Sequence, residues 1–206
     1  MIRPARLTAA VFLAWLFLFA SRVWAEVPLV EIKDLDSTIV LDIKYATADN
    51  FMKEILYPDA RAFLQPRVAE RLVRVQERLR AQGLGLKVFD GYRPLSVQKK
   101  MFARFPQPGF VADPAKGSNH NRGAAVDVGL VDATGHELPM PSRYDEFSER
   151  SHIRYAGGTA EELKNRGILQ DAMKAEGFKP LETEWWHFDD PDWQQYPILD
   201  IPIEDL

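Results

Sequence analysis

The 206-residue sequence contains no cysteine and only four histidines, which are His120, His136, His152 and His187. The lack of cysteine excludes disulfides, thiol nucleophiles, iron–sulfur clusters and cysteine-ligated zinc. A metal site must therefore be built from histidine, aspartate and glutamate. The composition, 46% hydrophobic and 27% charged, is typical of one globular domain with enough chain for a sizeable core.

An excess of positive charge is also absent. The chain has 26 Lys and Arg against 30 Asp and Glu, so its formal charge is −4. Nucleic-acid binding depends largely on basic side chains that neutralise phosphates. We therefore expect no nucleic-acid partner.

The apolar run near the start of the chain is too short for a membrane-spanning helix. It covers the 14 residues 7–20, whereas a spanning helix needs about 20. Arg3 and Arg6 precede it, and a short segment that ends in the small residue Ala25 follows. This order of features predicts a secretory signal peptide over residues 1–25, removed by cleavage, rather than an uncleaved anchor.

Removal of that segment changes the charge of the chain. Residues 26–206 retain 23 basic and 30 acidic residues, which gives a formal charge of −7. We predict that this mature domain is periplasmic or secreted and has no stable membrane anchor.

The hydrophobic spacing along residues 26–206 predicts both helices and strands. Apolar residues three or four apart, together with capping signals, predict helices, and β-branched runs bounded by turn residues predict strands. The predicted helices cover residues 66–83, 94–105 and 159–176; the predicted strands cover 85–91, 124–131 and 184–188. Residues 27–45 are expected to be a meandering strand region and residues 106–123 a loop. The second helix is expected to bury Val97, Met101 and Phe105. These elements predict one α+β domain with a central, mainly antiparallel sheet and flanking helices.

The segment 118–127 places a histidine, a glycine and an aspartate close together. His120 lies in a polar loop, Gly123 allows a sharp turn, and Asp127 interrupts an apolar strand. A buried carboxylate needs a counter-charge, and a metal ion is one candidate. The alternative is that Asp127 accepts backbone hydrogen bonds from the loop.

The segment 184–188 places Glu184 three residues before His187, among large aromatic residues. Together, His120, Asp127 and His187 offer three ligands, which is the number of protein ligands in a catalytic zinc site. Glu184 is then the candidate base for a metal-activated water. Residues three apart on a regular strand face opposite ways, so Glu184 and His187 converge only if the strand bends. Alternatively, His187 packs in an aromatic cluster.

Arg93 follows a predicted strand at a turn and could direct a fixed cation at an oxyanion, with Asp90 as its orienting partner. The alternative is a surface arginine. His136 lies in a turn-rich loop and is expected to be solvated, and His152 is expected to be structural.

The two motifs Ser-x-His-x-x-Gly-x-Ala-x-Asp at residues 118–127 and Glu-x-Trp-His at 184–187 resemble those of the zinc D-Ala-D-Ala metallopeptidases. Within that group the chain is most similar to the D-alanyl-D-alanine dipeptidases of the VanX type. The likeness extends from residue 41 to residue 188, and it implies a Hedgehog/D-Ala-D-Ala peptidase-like fold.

This resemblance implies one zinc ion on His120, Asp127 and His187. It implies Glu184 as general base and Arg93 as transition-state stabiliser. It also implies a small substrate pocket lined by Ser118, Tyr45 and Asp145, with Asp145 facing the substrate ammonium and Asp90 pairing with Arg93.

The resemblance implies hydrolysis of the free dipeptide D-Ala-D-Ala to two D-alanines. A D,D- or L,D-carboxypeptidase that trims peptidoglycan stem peptides is the alternative enzyme, and a non-catalytic zinc- or peptidoglycan-binding module is the alternative of another class. The chain departs from the family at residues 140–143, where Met-Pro-Ser-Arg stands in place of Met-Gly-Thr. Its predicted signal peptide is a second departure.

Overall fold

In the computed structural model, which describes residues 29–206, short strands alternate with helices along the chain. The strands are β1 (Val30–Glu31), β2 (Val40–Leu41), β3 (Phe63–Leu64), β4 (Leu84–Asp90), β5 (Ala125–Asp132), β6 (Lys179–Leu181) and β7 (Glu184–Asp189). The α-helices are α1 (Ile32–Leu35), α2 (Pro66–Arg80), α3 (Leu95–Arg104) and α4 (Ala160–Ala175).

A central sheet has the strand order β2-β4-β5-β7-β6. β2 pairs with β4 in parallel, and the three other pairings are antiparallel. β1 and β3 form a separate antiparallel pair. Helices α2 and α4 contact each other and the sheet. The predicted α+β class and the mainly antiparallel sheet are confirmed.

Helix α2 follows directly from its sequence pattern. Pro66 occupies its first turn, where the missing N–H costs nothing, and its apolar residues form one buried stripe. That stripe consists of Val68, Leu72, Val75 and Leu79. The helix ends at Arg80, three residues before the predicted end at Gly83, and the chain then turns into β4. The predictions for β4, β5, β7, α3 and α4 agree with the structure to within one residue at each end.

The predicted buried face of α3 is partly wrong. Met101 is buried and Val97 is partly buried, but Phe105 is 40% exposed. Phe105 lies beyond the last turn, where the backbone has left the helix, and its ring packs edge-on against Phe51. A polar residue of α3, Gln98, is fully buried instead.

The predicted strand region at residues 27–45 is wrong over most of its described part. Only β1 and β2 are extended, and a helical turn separates them. The Asp36 carboxylate accepts hydrogen bonds from the backbone N–H and the hydroxyl of Thr38, at 2.9 and 2.6 Å. This local turn competes with strand pairing and ends it.

Strand β6 was not predicted, because Pro180 lies at its centre. A proline is compatible with a strand at a sheet edge, and β6 is the last strand of the central sheet. The predicted signal peptide, residues 1–25, lies outside the described residues. Between residues 29 and 206, no helix has both the length and the hydropathy required to cross a bilayer.

Candidate metal and substrate site

Three acidic or imidazole side chains lie side by side across the central sheet. Asp127 on β5 is directly opposite His187 on β7 and directly opposite Asp90 on β4. Directly paired residues share a face of the sheet, with their Cβ atoms about 4.5–5.5 Å apart. The register of three strands therefore places Asp90, Asp127 and His187 in one row.

An irregularity in β7 brings Glu184 to the same site as His187. Pro180 on β6 pairs with Phe188. The next residue, Leu181, pairs with Glu184, so three residues of β7 have no partner on β6. This bulge removes the alternation of a regular strand. Glu184 Oε2 consequently lies 4.0 Å from His187 Nδ1.

His120 reaches the sheet from a single 3-10 turn, Asn119–Arg122. Ser118 caps this turn, since its hydroxyl oxygen accepts a hydrogen bond from the His120 backbone N–H. The turn ends at Gly123, which has a φ of +64°. A Cβ atom there would lie 2.6 Å from Leu29 Cδ2, so glycine is required for both conformation and space.

Three lone-pair donor atoms converge where the turn meets the sheet. His120 Nε2 lies 3.2 Å from Asp127 Oδ1, His187 Nδ1 lies 3.1 Å from the same oxygen, and the two nitrogens lie 3.1 Å apart. Ligands of one tetrahedral zinc ion, each about 2.0–2.1 Å from it, are about 3.3 Å from one another. The three residues therefore fit a small divalent cation, and all three are buried.

The second nitrogen of each imidazole is already hydrogen-bonded. His120 Nδ1 donates to the Gly91 carbonyl at 2.7 Å, and His187 Nε2 donates to Asp189 Oδ1 at 2.9 Å. These bonds orient both rings so that the remaining nitrogens, His120 Nε2 and His187 Nδ1, face Asp127, as in many protein metal sites. When both imidazoles are neutral, three acceptors face one another in a buried place, and a cation between them would satisfy all three.

Glu184 is buried beside this group and carries a perturbed carboxyl. Its exposed fraction is 6%. Burial raises the pKa of Glu184 to about 8, with a further contribution from the negative charge of Asp127, while His187 opposes the rise. A carboxyl with a pKa near neutrality can accept a proton and release it again.

Arg93 is held by Asp90 at the edge of the same site. Its Nε and Nη2 donate to Asp90 Oδ2 at 3.0 and 2.7 Å. The other oxygen of Asp90 accepts from the Tyr57 hydroxyl at 3.0 Å. Arg93 also lies over the ring of Tyr45, 5.1 Å from its centroid. The guanidinium is thus a fixed cation rather than a surface arginine.

Asp145 is connected to the metal donor Asp127 through the hydroxyls of Tyr45 and Tyr144. The Tyr45 hydroxyl donates to Asp145 Oδ2 at 3.1 Å, and the Tyr144 hydroxyl donates to Asp127 Oδ2 at 2.9 Å. The two phenol oxygens are 3.3 Å apart. Asp145 has a φ of +58°, which few non-glycine residues adopt. Burial raises its pKa to about 8, and the charge of Asp127 adds to this effect.

A cavity of about 360 Å³ joins these groups. Eight of the nine site residues named from the sequence line it: Tyr45, Arg93, Ser118, His120, Asp127, Asp145, Glu184 and His187. The ninth, Asp90, lies behind Arg93 and does not line the cavity. His136 is on the surface, with 83% of its side chain exposed, and His152 packs near Phe110.

Sequence reasoning missed two residues that contact the metal donors. Asp189 was not considered. It lies two residues after His187 on β7, and residues two apart on a strand share a face, so the spacing could have identified it. Tyr144 was assigned no role from the sequence, and its bond to Asp127 had no local signal. It depends on the position of the loop that carries it.

Comparison with known proteins gives a consistent result. The M15 peptidase family, described as D-ala-D-ala dipeptidase, matches residues 25–203. A D-alanyl-D-alanine dipeptidase of Escherichia coli K12 is 34% identical over 171 residues, which cover 83% of this chain and 89% of that protein. One from Enterococcus faecium is 33% identical, covering 79% of this chain and 92% of its own. A solved LdcB LD-carboxypeptidase has 23% identity and a TM-score of 0.42, covering 62% and 59% of the two chains. The family match and the identity to the two dipeptidases show that the chain belongs to the D-Ala-D-Ala dipeptidase family of M15 metallopeptidases.

Proposed function

We propose that this protein hydrolyses the free dipeptide D-alanyl-D-alanine to two D-alanines, with one zinc ion held by His120, Asp127 and His187. The observation that carries the proposal is the shared cavity: the metal donors, Glu184, Arg93 and Asp145 all line it. Family membership and the names of the relatives support the substrate. A cavity of about 360 Å³ is near the lower end of the usual range for ligand sites, as a small substrate requires.

His120, Asp127 and His187 would hold a divalent ion, and the ion would supply Lewis acidity that polarises a carbonyl and makes water more acidic. Glu184 accepts the proton of the attacking water and returns it to the leaving amine. One carboxylate thus acts first as base and then as acid.

Arg93 stabilises the negative charge that develops on the carbonyl oxygen. Asp90 holds two of its N–H groups, so the guanidinium does not have to reorganise when the charge appears. Loss of a comparable oxyanion donor typically costs about 10²–10³ in kcat.

The two ends of the dipeptide require opposite partners. Asp145, oriented by Tyr45, is the anion for the substrate ammonium. Ser118 also lines the cavity, and its hydroxyl has no acceptor among residues 29–206, so it is free to donate to the substrate carboxylate. An N-acylated peptide has no ammonium, and Asp145 is then buried beside an uncharged amide at a cost in binding.

The test is a comparison of substrates with the purified, metal-analysed protein. D-Ala-D-Ala and an N-acyl stem peptide ending in D-Ala-D-Ala are incubated separately, and released D-alanine is measured. Cleavage restricted to the free dipeptide is expected. Preferential cleavage of the acylated peptide would identify a carboxypeptidase, and cleavage of neither would favour a binding module.

Metal content is tested in the same preparation. We expect about one zinc per chain in the wild type, and loss of that zinc together with activity in His187→Ala. The matched control is His136→Ala, which removes an exposed histidine and should keep both. Retention of zinc by His187→Ala would contradict the ligand assignment.

We also propose that residues 1–25 direct export and are then removed. The support is the sequence pattern of two arginines, a short apolar run and a small residue. N-terminal sequencing of the protein from fractionated cells tests this. A first residue near Glu26 in the exported fraction is expected, whereas an intact N-terminus in the cytoplasm would refute it.

A further inference from the structure

We infer that Gln98 is a positioning residue that links Arg93 to the cavity wall formed by residues 109–112. The inference rests on the proposed role of Arg93. Gln98 is fully buried in the first turns of α3, and its backbone N–H donates to the Pro94 carbonyl at 3.1 Å. That turn brings its side chain back to Arg93.

Both ends of the Gln98 amide are used. Its Oε1 accepts from Arg93 Nη1 at 2.8 Å, and its Nε2 donates to the Ala112 carbonyl at 2.8 Å. A glutamine can accept and donate at once, which no carboxylate or ammonium does. The same side chain therefore fixes the catalytic cation and the adjoining segment of the wall.

The Arg93 guanidinium has five N–H groups. Two donate to Asp90 and one to Gln98, which leaves one free on each Nη for the cavity. Both bonds to Asp90 end on its Oδ2, so Asp90 alone leaves the planar guanidinium able to pivot about that oxygen. Gln98 supplies the second contact, which sets the direction of the two free N–H groups.

The wall segment has a second tether that does not involve Arg93. The Thr183 hydroxyl donates to the Gly109 carbonyl at 2.8 Å. Residues 109–112 line the cavity between these two tethers. Thr183→Val therefore loosens the wall alone, whereas Gln98→Met loosens the wall and the cation together.

The test measures kcat and KM for D-Ala-D-Ala in four variants of the full-length, zinc-loaded enzyme. We expect Gln98→Met to lower kcat about 10- to 100-fold and to raise KM about threefold. We expect Thr183→Val to raise KM without lowering kcat. Gln98→Glu keeps an acceptor for Arg93 Nη1, so it should restore kcat to within about fivefold of the wild type.

The matched control is Gln76→Met. Gln76 is also a buried glutamine with both ends bonded, to Leu86 N and the Thr38 hydroxyl, but it does not line the cavity. Its removal should lower the melting temperature and leave kcat unchanged. A Gln98→Met enzyme whose kcat equals that of Gln76→Met would overturn the inference, as would a Gln98→Glu enzyme no better than Gln98→Met.

A second measurement does not depend on activity. The ¹⁵N relaxation of the Arg93 Nε–H reports the motion of the guanidinium directly. We expect the Arg93 guanidinium to be more mobile in Gln98→Met than in the wild type and unchanged in Gln76→Met. Equal mobility in the two variants would contradict the inference. Arg93→Lys is assayed in parallel: if it keeps wild-type kcat, the proposed role of Arg93 fails, whatever the mobility of Arg93 in Gln98→Met.

Discussion

The two sides of the cavity are built in different ways. On one side, Asp127 and His187 extend from neighbouring strands in direct register. On the other side, Asp145 lies in a loop with a positive φ and is positioned by a hydrogen bond from Tyr45. The sheet side carries two of the three candidate metal donors, and the loop side carries Asp145, the proposed partner of the substrate ammonium.

The two sides of the cavity differ in the interactions that hold their side chains in position. Strand register sets the spacing of Asp127 and His187 through the backbone hydrogen bonds between β5 and β7. The loop side is attached to its surroundings by a few side-chain bonds, from Tyr144 to Asp127, from Trp185 to Ser142, and from Asn165 to the Pro139 carbonyl. We therefore expect changes on the sheet side to affect chemistry or metal binding, and changes on the loop side to affect substrate choice.

The largest effect is expected for Glu184→Ala on the sheet side. Loss of the proton acceptor should lower kcat by about 10³-fold or more, since general acid–base catalysis contributes about 10²–10⁴. Zinc content should stay near one per chain, because Glu184 is not among the three proposed ligands. The control is Glu182→Ala, an exposed carboxylate two residues away that pairs with Arg154. Retained activity in Glu184→Ala would remove its assignment as base.

On the loop side, Asp145→Asn should lower kcat/KM for the free dipeptide by up to about 100-fold, because a hydrogen bond between charged groups is lost. Turnover of an N-acylated peptide should change little or improve. Glu146→Gln is the neighbouring control. Equal losses for both substrates would place Asp145 in a structural role and break the distinction between the two sides.

Asp189→Asn tests the support behind the sheet side. An amide at this position is a weaker acceptor for His187 Nε2, so zinc affinity should fall about 10- to 100-fold, as measured by competition with a chelator. At saturating zinc, kcat should be close to that of the wild type. Asp192→Asn, which removes a more exposed carboxylate nearby, should leave the affinity unchanged.

The smallest effect concerns the pH dependence of the metal-free protein. The folded-state pKa of Asp145 is about 8, above its ordinary value of 3.8, so its contribution to stability is greatest at low pH. That contribution is lost as pH rises from about 4 to 8. Asp145→Asn removes this dependence. The melting temperature of the variant should therefore rise relative to that of the wild type as pH increases from about 4 to 8. A constant difference would contradict the raised pKa.

Much of the fold could be predicted from local pattern. The stripe Val68, Leu72, Val75 and Leu79 predicts α2 because helical spacing alone places these residues on one face. The region before Lys44 could not be predicted in this way, since the turn at Asp36 and Thr38 overrides its strand-like composition. Gln98 was missed for a related reason. A polar residue is not expected on the buried face of a helix, and Gln98 is buried there because it bonds to Arg93 and Ala112.

The amino-acid sequence by itself determined which residues could form the site. With no cysteine and four histidines, a metal site had few possible ligand sets, and the two motifs selected one of them. Only the tertiary structure decided whether Glu184 and His187 meet, because the bulge in β7 depends on its pairing with β6. Likewise, the contacts of Asp145, Tyr144 and Gln98 join residues far apart in the chain, and such contacts arise from packing, which local sequence does not encode.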